Sequence, residues 1–180
     1  MKIFLAAACC ATSTALLTIG LFTANAALAE PGDYAGLPVD PNAVTDSAAY
    51  IAAPPTLNPN GQPGVEAVFT HRDSSRTITD TILVLSNPAA ASAALAGATP
   101  VVVTSIPGGG NEPAPVGTDG TIITGASEDG LQSVTVVRFT EGGTAAVIEF
   151  SGAPGDPVPS DLAVEYAQRQ ATAIRDAGAV

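Results

Sequence analysis

His71 is the only histidine in the chain, and it lies in FTHRDSSRTITDTILVL, residues 69 to 85. Arg72, Asp73, Ser74, Ser75 and Arg76 follow it directly, and Asp80 comes a little later. A histidine beside carboxylates and hydroxyls raises nucleophilic hydrolysis: the imidazole as general base, a carboxylate to orient it, a serine to attack. A catalytic serine usually needs a sharp elbow and an oxyanion hole, and no G-x-S-x-G occurs; Ser127 lies in GASEDG, a different arrangement. His71-Arg72-Asp73 spells the HRD of kinase catalytic loops, without their Gly-rich loop, strand lysine or DFG. The competing reading is structural. It makes His71 a half-buried residue at a strand end, bonded to backbone or to Asp73. No catalytic residue is assigned, and a hydrolase using His71 stands as the second alternative function.

Other chemistries fare less well. Both cysteines, Cys9 and Cys10, belong to the apolar N-terminal segment. One histidine and no cysteine beyond that segment leave no standard structural zinc site, thiol nucleophile or iron–sulfur ligand set. Oxygen ligands for calcium could come from Asp40, Asn42 and Asp46, or from Asp119, Glu128 and Asp129, but neither set keeps the spacing of a calcium loop. Gly108-Gly109-Gly110 lacks the surroundings of a phosphate-binding loop. Carboxylate pairs for glycoside chemistry would have few aromatic platforms to lean on, since the chain has no Trp, three Tyr and five Phe. The expectation is no metal, no cofactor and an unknown ligand site.

The elements that would position these residues begin after the N-terminus. Met1-Lys2 is followed by an apolar run to about Phe22, then by Thr23-Ala24-Asn25-Ala26-Ala27-Leu28-Ala29. A charged start, an apolar middle and small residues at −3 and −1 describe a secretory signal peptide cut after Ala29, with Ala26 as second choice. A membrane anchor is the alternative, since the run approaches the ~20 residues that span a bilayer. A lipoprotein, with Cys9 in a lipobox-like LAAAC, is another. Cleavage would leave five arginines and no lysine against seventeen acids, net −12. Such a chain repels nucleic acid and anionic lipid, so no nucleic-acid partner and no stable membrane insertion are expected.

Residues 30–63 read as a mostly irregular Pro/Gly-rich arm. Asp40 is a candidate N-cap before Pro41, with one or two helical turns reaching at most Ala53, and Tyr34, Leu37, Tyr50 and Ile51 are candidate packing residues. Residues 64–180 read as a single domain. Residues 65–71 alternate with period two, placing Val65, Ala67, Phe69 and His71 on one face. Residues 77–85 are a second strand, joined to the first by a hairpin loop at 72–75. Asn87 and Pro88 open a helix over 88–96, with Gly97 at its C′ position. Further strands are expected at 100–106, 121–124, 131–140 and 144–151, with a mobile loop at 107–111. A closing helix covers 160–177, its apolar stripe made of Leu162, Ala163, Tyr166, Ala167, Ala173 and Ile174. The order is β-β-α-β-β-β-β-α. It predicts an α+β domain with an antiparallel sheet of about five to six strands and two main helices, both sheet faces at least partly covered.

The block GVEAVFTHRDSSRTITDTILVLSNPAAASAAL, the QSVTVVRF–TAAVIEF hairpin and the helix SDLAVEYAQRQATAIRDAG carry a resemblance. With the signal segment, they are similar in plan to small exported proteins of mycobacteria and related actinobacteria, the LpqN-type envelope proteins with a Mog1/PsbP-like fold. The resemblance implies a secreted or cell-wall location and a binding or adaptor role, with no shared catalytic residue. LpqN-type proteins are often lipoproteins, and the placement of Cys9 departs from that pattern. The leading expectation is a non-enzymatic binding module acting on an unknown protein or apolar ligand in the envelope or outside the cell. The alternative is a carrier of an apolar, lipid-like ligand, its pocket lined by Leu83, Leu85, Val137 and Phe150.

Overall fold

The computed structural model describes residues 34–45 and 47–178, with backbone alone at residues 99–101, 103 and 104. The expected signal segment, both cysteines and Asp46 lie outside the described residues. The arm supplies helix α1 (Pro41–Thr45), strands β1 (Tyr50–Ala52) and β2 (Thr56–Leu57), and a 3-10 turn at Pro59–Gly61. Then come β3 (Gly64–His71), β4 (Arg76–Val84), α2 (Pro88–Ser105), β5 (Gly110–Pro113), β6 (Thr118–Ala126), β7 (Ser133–Glu141), β8 (Thr144–Gly152) and α3 (Ser160–Asp176).

The α+β architecture with an antiparallel sheet is as expected, but the element count is larger. Eight strands and three α-helices form among the described residues. The additions come from the arm. Its strands are two and three residues long and pair with β3: Tyr50 opposite His71, Ala52 opposite Phe69, Leu57 opposite Val65. Strands this short carry no period of their own, so their partner specifies them.

From Gly64 onward the order β-β-α-β-β-β-β-α is found, with one strand in a different place. The expected strand at 100–106 is the second half of α2, which runs through Gly97 and Pro100. Ala91, Ala94, Leu95, Ala98, Val102 and Ile106 are buried at helical spacing, so one continuous apolar stripe carries the helix past both breakers. Pro100 removes one backbone donor from that ladder. The fourth strand between the long helices is instead β5, drawn from a segment expected to be a loop. It is fully exposed and pairs only at the sheet edge, Gly110 opposite Thr124 to Pro113 opposite Thr121. A carboxylate at Glu112 and the proline after it suit an open edge.

The sheet runs β1-β3-β4-β8-β7-β6-β5, with β2 beside β3. β4 and β8 pair along their full lengths, from Arg76 opposite Gly152 to Val84 opposite Thr144. The β7–β8 hairpin turns at Gly142-Gly143, where Gly142 takes the positive φ (54°) that a two-residue hairpin demands.

Both faces are covered. Ile78, Ile82, Val137, Phe139, Ile148 and Phe150 meet Ala163, Tyr166, Ala167 and Ile174 of α3. Leu83, Leu85, Val134, Val136, Ala145 and Val147 meet the α2 stripe. This partition corrects the proposed carrier pocket. Leu83 and Leu85 lie on the α2 face, Val137 and Phe150 on the α3 face. The two-residue pleat sends them to opposite sides, and they cannot line one cavity.

Candidate functional site

His71 ends β3 on the α3-facing side, and its ring meets Tyr50 edge-on, centroids 5.3 Å apart. Its Nδ1 lies 2.5 Å from Asp73 Oδ1. That oxygen also accepts from the Ser75 amide at 2.8 Å. Asp73 is held down at about 2, first by the hydrogen bonds from Ser75 and then by His71. The Ser74 amide bonds back to His71 O, and Ser74 takes φ 62°. These contacts close a turn. Among the described residues, no serine hydroxyl is bonded to the imidazole. Ser127 follows β6, four strands from β3, roughly 19 Å across at about 4.8 Å per strand. Its hydroxyl donates to Asp129 at 2.6 Å.

The two calcium sets do not assemble. Asn42 spends its amide on Tyr50, accepting from the backbone N–H and donating to the carbonyl. Asp40 accepts from the Asn42 amide at 2.9 Å, the expected capping role. Asp119 accepts from Ser92 near the start of β6, while Glu128 and Asp129 lie beyond its other end. Among the described residues no group of three His, Cys, Asp or Glu side chains converges.

The structure draws attention to a different place, the seam where the arm meets α3. Tyr166 donates from its hydroxyl to Val39 O at 2.6 Å. Gln170, fully buried, donates to Leu37 O at 2.8 Å and accepts from the Val39 amide at 2.8 Å. An amide side chain bonded on both sides to the backbone satisfies Leu37 O, the Val39 amide and its own two ends at once. α1 thereby rests on α3 with an opening on each side. One is a shallow groove of about 430 Å³ between Val39, Ala43, Glu165, Gln168, Arg169 and Thr172. The other is an apolar crevice walled by Pro41, Val44 and Tyr50 of the arm and by Leu162 and Tyr166 of α3, with Ile78 and Phe150 among its lining. Phe150 meets the Tyr166 ring edge-on at 5.7 Å. The crevice holds about 20 Å³, enough for one water.

One pleat beyond Ile78 on β4 stands Asp80. It is 0% exposed, and among the described residues neither carboxylate oxygen has a hydrogen-bond partner. Burial pushes it up to about 8, with no charged neighbour contributing. At neutral pH it is chiefly a neutral acid inside an apolar layer. Burial also raises Tyr166, and the charge of Asp80 adds to the shift, so the two side chains feel each other. In the sequence Asp80 reads as a triad partner for His71. The pattern TITDTILV carried the sharper signal: period two puts Asp80 between Ile78 and Ile82 on a buried face. Gln170 was missed because a polar residue inside an apolar helical stripe reads as an interruption until its partners are known.

No family model matches the chain, and no curated protein matches it in sequence. Among solved structures it is similar to the extracellular domain of PknH from Mycobacterium tuberculosis, with 9% identity and a TM-score of 0.56. The similarity covers 82% of this chain and 97% of that one. The fold therefore has a counterpart in a mycobacterial extracellular domain; nothing narrower supports the LpqN-type resemblance. Among the described residues no helix is long and apolar enough to cross a membrane.

Proposed function

We propose that the chain is an extracytoplasmic binding module of the cell envelope, and that its contact surface is the α1–α3 face. The observation that carries this reading is the seating of α1 on α3, which leaves a groove on one side and an apolar crevice on the other. The signal-like N-terminus and the fold likeness to an extracellular domain agree with it. Export would cut the chain after Ala29. The groove is in the size range of ligand sites and mixes Val39 and Ala43 with the Glu165–Arg169 ion pair, an adaptable rim for a protein partner. Among the described residues no triad or metal cluster is assembled, and the binding role requires none.

The second reading, a carrier of an apolar ligand, is moved to the crevice, whose lining is mostly aliphatic and aromatic. A lipid-sized ligand exceeds its volume and would have to lift the arm. Native mass spectrometry of protein purified from its own culture medium separates the two. The module predicts a clean mass beginning at Glu30, and a defined partner lost in Arg169→Glu/Thr172→Arg. The carrier predicts a retained lipid-sized mass, lost in Leu162→Gln. A clean mass with no partner lost in the groove variant rejects the α1–α3 face.

A further inference from the structure

We propose that the proton on Asp80 seats the arm: when the carboxyl ionises, residues 37–45 and 47–52 detach from α3 and the sheet edge as one local unit. The proposal holds whether or not anything binds at the α1–α3 face. Asp80 lies in the layer between the sheet and α3, with Ala67 and Ile148 as its cross-strand partners. Neither offers a side-chain hydrogen bond. A carboxylate at this spot is uncompensated, and the least disruptive relief is to admit water. The crevice offers a route, since its lining includes Ile78, one pleat from Asp80 on β4, and Tyr166, which feels the charge of Asp80. The outer wall of that route is the arm. It is held by a five-residue helix, a three-residue edge strand, the bonds from Tyr166 and Gln170 to Leu37 and Val39, and the bonds from Arg72 to the carbonyls of Ala48 and Ala49. Segments attached by so few contacts open before the central strands do.

The surrounding charges leave Asp80 the acting group. From α3 its charge reaches Tyr166, whose hydroxyl is bonded to Val39 O. On the arm, Asp40 and Tyr50 act on Tyr166, and Tyr50 rests on His71. Arg76, two pleats along β4, is paired with Asp156 at 2.9 Å. Glu66 of β3 and Glu149 of β8 occupy alternate positions and point to the other side of the sheet. The seated state keeps the proton up to about pH 8, whereas a hydrated Asp80 loses it near the ordinary 3.8. Opening therefore releases a proton, and its equilibrium constant rises up to about tenfold per pH unit from about pH 4 to about pH 8, then levels.

Amide hydrogen exchange on the chain, from pH 5.5 to 9 and corrected for intrinsic rates, tests this. The Val39 and Arg72 amides, whose acceptors Gln170 and Ala49 lie across the seam, should lose about tenfold in protection per pH unit and flatten above about pH 8. Val136 and Ile148 in the central strands should stay more protected throughout. Asp80→Asn should abolish the slope, and Asp80→Val serves if the asparagine variant fails to fold. His71→Asn should keep it. Three results each overturn the proposal. One is a flat wild-type profile. Another is a slope that survives both Asp80 variants. The third is central-strand amides that exchange in step with the arm, which would mean global unfolding.

Discussion

Single side chains set the energetics of the arm. Gln170→Leu would leave Leu37 O and the Val39 amide without partners, a loss of about 1–3 kcal/mol. Tyr166→Phe removes one hydrogen bond and should lower stability by about 1 kcal/mol. Urea titrations check both. Asp80 works the other way. Its neutral carboxyl is buried without a partner, so Asp80→Val should stabilise by about 1–3 kcal/mol at pH 7. The pH dependence has a defined sign. Because burial raises Asp80, the folded state binds the proton more tightly than the unfolded chain. Its contribution is full below about pH 4 and is lost as pH rises to about 8, at up to about 1.4 kcal/mol per unit. Glu149, also raised by burial, adds in the same direction. Asp73 is held down, so its contribution is present above about pH 4 and lost as pH falls through about 2. Thermal melts across pH 4–9 should show a decline that Asp80→Val flattens.

At the scale of elements, α2 separates two readings of the same residues. Gly97 looked like a helix end because Gly is the usual C′ residue and a proline follows at position 100. In the structure it is an exposed position inside a helix of 18 residues. Gly97→Ala should therefore stabilise by about 0.5–1 kcal/mol. Had the helix ended there in a left-handed cap, the same change would destabilise, so the sign of the shift in denaturation midpoint decides. The run VVVT at 101–104 favoured a strand by β-propensity, and the buried stripe from Ala91 to Ile106 outweighed that preference. The closing helix was legible almost to the residue, since Ala163, Tyr166, Ala167 and Ile174 recur at helical spacing. β1 and β2 were not, because their register exists only against β3.

Across the whole molecule the sheet is built from distant parts of the chain. β4 lies between β3 and β8, and its pairing with β8 joins residues sixty or more positions apart. Loops of that length close before their contacts repay the lost entropy, so folding should be slow for a single domain, in milliseconds to seconds. Stopped-flow refolding measures this directly. The only cysteines are Cys9 and Cys10. Protein lacking residues 1–29 should therefore melt at the same temperature with and without dithiothreitol.

The sequence by itself determined the class of the fold, the faces of its long strands and last helix, and the absence of cysteine beyond position 10. Those properties are written in local period and composition, which any stretch displays without its neighbours. Only the tertiary structure decided which strands are neighbours, where α2 ends, that the arm is stitched to α3 through Tyr166 and Gln170, and that Asp80 has nothing to bond. Each of these depends on contacts between residues far apart in the chain, and short-range pattern holds no information about which distant groups will meet.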